Sequence, residues 1–168
     1  MERKMALPER ILLSVEKPAR YIGGEINIAN KKISDDLVRF CFAFPDTYEI
    51  GMSYTGLQIL YNICNKQSNI YCERTFAPSS DMEDFMRNNN LPLFTLETKT
   101  GVKHMDVFGF TLQYEMCFSN ILNMLELAQI PILKKDRTSE DPLVIAGGPC
   151  AYNPEPLADF IDVFLIGD

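Results

Sequence analysis

The sequence predicts a three-layer α/β domain with a mainly parallel sheet, and three observations predict it. Apolar runs of strand length recur through the chain, helical periodicity fills several of the intervals between them, and glycine or Pro-Asp turns close strands at one edge. The clearest stretch is residues 144–168, VIAGGPCAYNPEPLADFIDVFLIGD, which reads as two strands joined by a glycine-turned loop and one short helix. Leu143 to Ala146 and Val163 to Ile166 are continuous apolar runs, as expected for strands covered on both faces, and they stop at Gly147-Gly148 and at Gly167. The sequence stops at Asp168, where the next helix is expected, which predicts a domain cut from a longer protein.

The remaining elements follow in chain order. Residues 1–36 carry Pro8, Pro18, Gly23, Gly24 and the polar stretch NKKISDD without a sustained period, and are expected to form an N-terminal arm around a domain spanning 37–168. LVRFCFAF from Leu37 is a strand that ends at Pro45-Asp46, and Leu57, Leu60, Tyr61 and Cys64 recur at helical spacing, which predicts a helix from about Ser53 to Lys66. Ile70 to Phe76 is a second strand. Ser80-Asp-Met-Glu83 fits a capping box, in which Ser and Glu satisfy each other's orphan backbone donors, and opens a helix to about Asn89. Leu93 to Glu97 reads as a short strand or an extended edge segment and Thr98 to Lys103 as a turn, before the apolar strand Asp106 to Leu112. Phe118, Ile121, Leu122 and Leu125 mark one face of a helix that Pro131 stops soon after Ile130. Strand and helix in alternation call for right-handed crossovers.

Composition bounds the function. An apolar content of 46% with 23% charged residues in 168 suits one soluble domain with a core. Lys and Arg number 16 against 23 Asp and Glu, a net charge of −7, and no segment gathers basic residues, so a nucleic-acid backbone would be repelled. No apolar run approaches the roughly 20 residues that a bilayer span needs, and the N-terminus lacks a signal-peptide core; the expected location is cytoplasmic, without a membrane partner. Cys41, Cys64, Cys72, Cys117 and Cys150 show no C-x-x-C or C-x-x-x-C-x-x-C spacing, which argues against a metal ligand set or a disulfide framework. Cys41, Cys64 and Cys117 read as buried thiols, and His104 as a solvated loop residue.

Ligands of open parallel sheets bind beyond the carboxyl ends of the strands. Three loops are predicted there. PDTYEIGMS carries Asp46, Thr47, Tyr48, Gly51 and Ser53 and leads into a helix; TLQYE offers Thr111, Gln113 and Tyr114; and the loop Gly147, Gly148, Pro149, Cys150 lets backbone approach a bulky ligand. No acid/base pair, Ser-His-Asp set, Walker A loop or G-x-G-x-x-G can be assembled, so no catalytic residue is assigned, and Glu49, Glu115 and Glu155 read as surface acids. The chain looks like a binding module.

EKPARYIGGE (16–25), FPDTYEIGMSYTGLQILY (44–61), GFTLQYE (109–115), NMLELAQIP (123–131) and GGPCAYNPEPLADFIDVFLIGD (147–168) resemble the N-terminal part of a family of radical S-adenosylmethionine (SAM) proteins with cobalamin-binding domains, mostly described as Fe–S oxidoreductases. The resemblance implies a flavodoxin-like, Rossmann-like domain of cobalamin-binding type. It implies cobalamin as cofactor and the protein's own C-terminal radical SAM barrel as partner, with a 4Fe–4S cluster and S-adenosylmethionine bound beyond Asp168. Cobalamin domains with a lower histidine ligand carry D-x-H-x-x-G, whereas Asp46-Thr-Tyr48-Glu-Ile-Gly51 has Tyr in place of His, so the implied cofactor is held without histidine ligation. The twelve loop residues named above form its implied pocket. The competing expectation is a cofactor-free scaffold that packs on the barrel through Tyr114, Tyr152 and Phe160; a flavodoxin binding FMN is weaker, because the first loop lacks a Ser/Thr-rich phosphate cradle.

Overall fold

The computed structural model describes residues 9–167. Five strands form one sheet in the order β2-β1-β3-β4-β5: β1 (Val38–Phe44), β2 (Ile70–Phe76), β3 (Val107–Thr111), β4 (Leu143–Gly147) and β5 (Val163–Leu165). Every neighbouring pair is parallel, with Phe44 opposite Phe76, Phe42 opposite Gly109, Phe110 opposite Ala146 and Gly147 opposite Leu165. This is the doubly wound order of flavodoxin-like folds, whose reversal in strand order falls between β1 and β3.

Residue alternation along the strands sends side chains to two different cores. Phe42, Phe44 and Cys72 meet Leu57 and Tyr61 of helix α4 (Thr55–Lys66) on one face. Cys41, Ala43, Phe108, Phe110, Val144 and Ala146 meet Met82 and Met86 of α5 (Ser80–Asn89) and Ile121, Met124 and Leu125 of α6 (Phe118–Leu127) on the other. Helices on both faces complete the three layers.

Before β1 the chain makes two short helices, α1 (Glu9–Leu12) and α2 (Ala19–Ile22), and then runs irregularly to residue 37. Ile11, Val15 and Tyr21 join the α5–α6 core, while Tyr61 Oη accepts from the Ala29 backbone N–H at 2.8 Å and Tyr71 Oη donates to the Ala29 carbonyl at 3.2 Å. Residues 1–8 of the expected arm, with Pro8, and Asp168 lie outside the described residues. The outer edge of β2 is covered by the extended segment after α5: Leu96 N–H donates to the Arg74 carbonyl at 2.8 Å, and Phe94 bridges Gly101 antiparallel. Beneath that cover, Arg74 pairs with Glu97 at 2.8 Å and stacks over the Tyr61 ring at 4.4 Å.

Four sequence expectations are corrected. The loop expected over Asp46 to Ser53 contains a six-residue helix, α3 (Tyr48–Ser53), which the extended Tyr54 separates from α4, the helix expected from about Ser53 to Lys66. The capping box does not form: Ser79 is the N-cap, its hydroxyl is bonded by Arg20 and Tyr21, and Glu83 turns to Arg87 and Asn123. Helix α6 stops at Leu127, ahead of Pro131, as Gln129 enters the left-handed region at φ 59°. The short helix expected between β4 and β5 is two 3-10 turns, Pro149–Tyr152 and Glu155–Leu157, separated at Pro154, which has no N–H to continue the first turn into an α-helix.

Candidate functional site

The carboxyl ends of β1, β3 and β4 bring the three predicted loops to one edge, where backbone and side chains fasten them together. Tyr114 Oη donates to Asp46 Oδ2, spanning the reversal between β1 and β3, and this bond pushes the Tyr114 phenol up to about 12. Asp46 Oδ1 also accepts from the Thr47 N–H at 2.7 Å, and Asn120 Nδ2 donates to the Pro45 carbonyl at 2.9 Å. On the other side of β3, Leu112 N–H donates to the Gly147 carbonyl at 2.7 Å and Cys150 N–H to the Leu112 carbonyl at 3.1 Å. The crevice between β1 and β3, where a flavodoxin fold places its ligand, is therefore crossed by a tyrosine–aspartate latch.

The two glycines after β4 act differently. Gly148 has φ 114°, and a Cβ there would lie 2.9 Å from the Leu112 carbonyl oxygen, so its lack of a side chain lets the β3 and β4 loops close on each other. Gly147 has no such conflict: a Cβ would meet Leu165 at an ordinary 3.4 Å. The space above Gly147 belongs to an open groove of about 660 Å³ that runs over the α4 face of β3, β4 and β5 up to the strand ends. Phe40, Leu60, Ile145 and Leu165 form its apolar walls, and Thr111, Gln113 and Pro149 its rim. Gln113 Nε2 donates to Thr111 Oγ1, which leaves the amide oxygen to accept from a ligand. Its volume falls in the range of roughly 300–1,000 Å³ usual for small-molecule and cofactor sites.

Seven of the twelve predicted residues, Asp46, Thr47, Tyr48, Gly51, Ser53, Tyr114 and Cys150, do not line this groove. Tyr48 turns toward β2, packing edge-on against Phe76 at 5.4 Å and donating to Glu25 at 3.0 Å; burial first, and Glu25 second, push its phenol up to about 12. Gly51 is buried under the Phe76 ring, which occupies the place a Cβ would take. Ser53 donates to the Ile50 carbonyl at 2.7 Å, an internal bond at the end of α3. Thr47 is the N-cap of α3 without a side-chain bond to it. Cys150 sits half-buried in the 3-10 turn, its thiol held up by burial and by the neighbouring Glu115. Of the expected aromatic surface, Tyr114 and Tyr152 are exposed, whereas Phe160 is half-buried against the core.

Several groove residues carry no loop or motif signal. Leu60 and Cys64 lie on the flank of α4, and Phe40 and Ile145 inside strands. Gly109 was the available clue: a glycine in mid-strand marks a close approach, and here the Phe40 ring lies across it. Cys64 stands out chemically, since the neighbouring buried Cys72 thiol draws its own thiol down to about 7. His104 lies in a 3-10 turn before the amino end of β3. Five residues of strand, about 16 Å, separate it from the carboxyl edge. Among the described residues no group of three or more His, Cys, Asp or Glu is placed to hold a metal ion, and no helix is long and apolar enough to cross a membrane.

Residues 56–168, from α4 through β5, match the family model for radical SAM proteins, N-terminal. The chain belongs to that family. The radical SAM N-terminal domain described here is also similar to the uncharacterized protein MJ0966 of Methanocaldococcus jannaschii, with 27% identity over 128 residues, 74% of this chain and 22% of that protein. The chain thus corresponds to about a fifth of the length of this curated relative. No solved structure matches.

Proposed function

We propose that this domain holds a cobalamin for the radical SAM part of its protein, with no side chain ligating the cobalt from below. The observation that carries the reading is the groove at the carboxyl strand ends, whose apolar walls suit a flat heteroaromatic tail and whose mouth is kept open by Gly147. The donor set fits such a mode. Tyr48, at the position of the histidine in D-x-H-x-x-G, is protonated and committed to Glu25, and His104 is at the far end of β3. Thr111, Gln113 and Pro149 would grip the tail at the rim, and the latched Asp46–Tyr114 pair and the Gly148–Cys150 turn would support the ring above the sheet edge. When bound, cobalamin supplies a cobalt that carries an alkyl group or electrons. A 4Fe–4S cluster and S-adenosylmethionine belong, in this reading, to the barrel that packs over the same edge.

Titration of the chain with cobalamin, followed by corrin absorbance, tests the reading. The expected result is a base-off spectrum unaffected by His104→Ala, with affinity reduced at least ten-fold by Gly147→Leu while the melting temperature of that variant stays at the wild-type value. An unchanged corrin spectrum and an unchanged melting temperature at saturating cobalamin would refute it. One observation favours a second reading, a cofactor-free platform for the barrel: Met116, Tyr114 and Tyr152 are exposed beside the latch, an apolar surface suited to packing.

A further inference from the structure

We propose that Cys64 and Cys72 are a redox-active thiol pair, which closes to a disulfide between α4 and β2 by exchange with a low-molecular-weight disulfide that enters through the groove. The two cores select the pair. Strand alternation turns Cys72 into the cluster of Phe42, Phe44, Leu57 and Tyr61, and Cys64 packs on that cluster from the flank of α4. The other three thiols belong to the opposite core: Cys41 and Cys117 are buried in it and Cys150 packs against it. Cys64 and Cys72 also differ in access. Cys72 is fully buried, whereas Cys64, expected from the sequence as a buried thiol, is half-buried and lines the groove. One thiol meets solvent and its partner lies directly behind it.

A hydrogen-bond clamp holds the helix and the strand in register. Asn65, next to Cys64, grips the Cys72 backbone with both ends of its amide: Nδ2 donates to the Cys72 carbonyl at 3.0 Å, and Oδ1 accepts from the Cys72 N–H at 3.1 Å. Lys31 fastens the turn between α4 and β2, where Nζ donates to the Gln67 carbonyl at 2.6 Å and to that of Ile70. Contact between the thiols splits their acidity. Cys72 draws Cys64 down to about 7, with a smaller contribution from the Lys31 charge, while Cys64 and burial push Cys72 up. The accessible member therefore carries thiolate at neutral pH, the form that attacks a disulfide. In the first step the Cys64 thiolate bonds to one sulfur of the small disulfide, breaks its S–S bond and expels a thiolate, which takes up the proton that Cys64 released. Cys72 then attacks the Cys64 sulfur, the mixed disulfide breaks, and the Cys72 proton leaves with the second small thiol. Two protein thiols are oxidised by two electrons, and one small disulfide is reduced to two thiols. No cofactor takes part, so the inference stands apart from the cobalamin reading.

The test is made on the full-length protein without cobalamin, reduced and then equilibrated with glutathione disulfide under exclusion of oxygen. Remaining thiols are trapped with N-ethylmaleimide, and a chymotryptic digest, which separates Cys41 from Cys64 at the aromatic residues between them, is read by mass. The expected product is a disulfide that joins the peptides of Cys64 and Cys72 and is reversed by dithiothreitol. Cys72→Ala stops the sequence at a lasting mixed disulfide between glutathione and Cys64, and Cys64→Ala leaves Cys72 reduced, its oxidation slowed by about ten-fold or more. Asn65→Ala lets the mixed disulfide accumulate, because closure slows when the clamp is lost. A mixed disulfide that persists on Cys64 in the wild type would overturn the proposal, as would linkage of Cys64 to any other cysteine. Cys64 and Cys72 both found reduced at equilibrium, or Cys72 oxidised as fast in Cys64→Ala as in the wild type, would overturn it equally. The wild-type digest decides the matter even if a variant fails to fold.

Discussion

Gly51→Ala separates a packing role from a ligand role for the glycine of the Asp46-x-Tyr48-x-x-Gly51 pattern. Gly51 sits within α3, so alanine is compatible with its backbone and gains about 1 kcal/mol of helix propensity. The added methyl, however, falls inside van der Waals contact of two Phe76 ring carbons and lies 3.1 Å from Phe44 Cβ, in a cluster where Phe76 is 7% exposed and has no room to retreat. Overpacking of a close-packed core costs roughly 1–3 kcal/mol, and a conflict with a buried ring belongs at the upper end. The net loss is about 2 kcal/mol, which for a domain of this size is a fall of about 4–8 °C in melting temperature. Thermal unfolding followed by circular dichroism measures it. Phe76→Leu removes the obstructing ring carbons, so in the double variant the cost of Gly51→Ala shrinks to near zero, a coupling that a double-mutant cycle reads directly. If Gly51→Ala leaves the melting temperature unchanged, or if Phe76→Leu does not relieve it, the packing explanation is refuted.

Other perturbations bear on the same core and edge. Cys64 should be alkylated before the other cysteines, with a rate midpoint near pH 7 that moves upward in Cys72→Ala, because the buried Cys72 thiol is what stabilises its thiolate; a midpoint near the ordinary value of 9.0 in the wild type would contradict this. Tyr48→Phe loses one hydrogen bond to Glu25 and should cost about 1 kcal/mol in urea unfolding. The folded-state value of Tyr48 is raised from 10.0 to about 12, so its stabilisation is full below pH 10 and is lost as pH rises through 12; the advantage of wild type over Tyr48→Phe should shrink across that window, and an advantage that stays constant or grows would contradict the assignment. Arg74→Met strands the buried Glu97 carboxylate and should destabilise by about 3–5 kcal/mol, most of it recovered on adding Glu97→Leu; an equal loss in the double variant would show that the pair is not the source.

The periodic part of this fold was legible and the special positions were less so. Strands β1, β3, β4 and β5 announce themselves as largely apolar runs, and the alternation of strands with helices sufficed for a parallel sheet. The break at Tyr54 and the 3-10 turns after β4 were not legible, because they depend on where the Tyr54 ring packs and on three prolines whose effect on a short helix is decided by tertiary contacts. At the site, residue type pointed to the loops but not to their geometry. Asp46 and Tyr114 are 68 positions apart in sequence and meet only because β1 and β3 are neighbours. Gly147 and Gly148 look alike in sequence, yet one faces the groove and the other the Leu112 backbone, so Gly148 substitutions strain the fold and only Gly147 substitutions probe the groove. The groove walls were hidden for a simple reason: Leu60, Ile145 and Leu165 read as core residues, and nothing local reveals that the strip they line lacks a cover.

Methyl NMR of the isotopically labelled chain with and without cobalamin tests the central claim most directly, because it locates the ligand as well as detecting it. Shifts concentrated on Leu60, Ile145, Leu165 and Ile166, with Ile11, Leu93 and Ile130 on the opposite core unmoved, are the result the account predicts. Unperturbed methyl spectra at saturating cobalamin, or shifts confined to residues outside the groove, would contradict it.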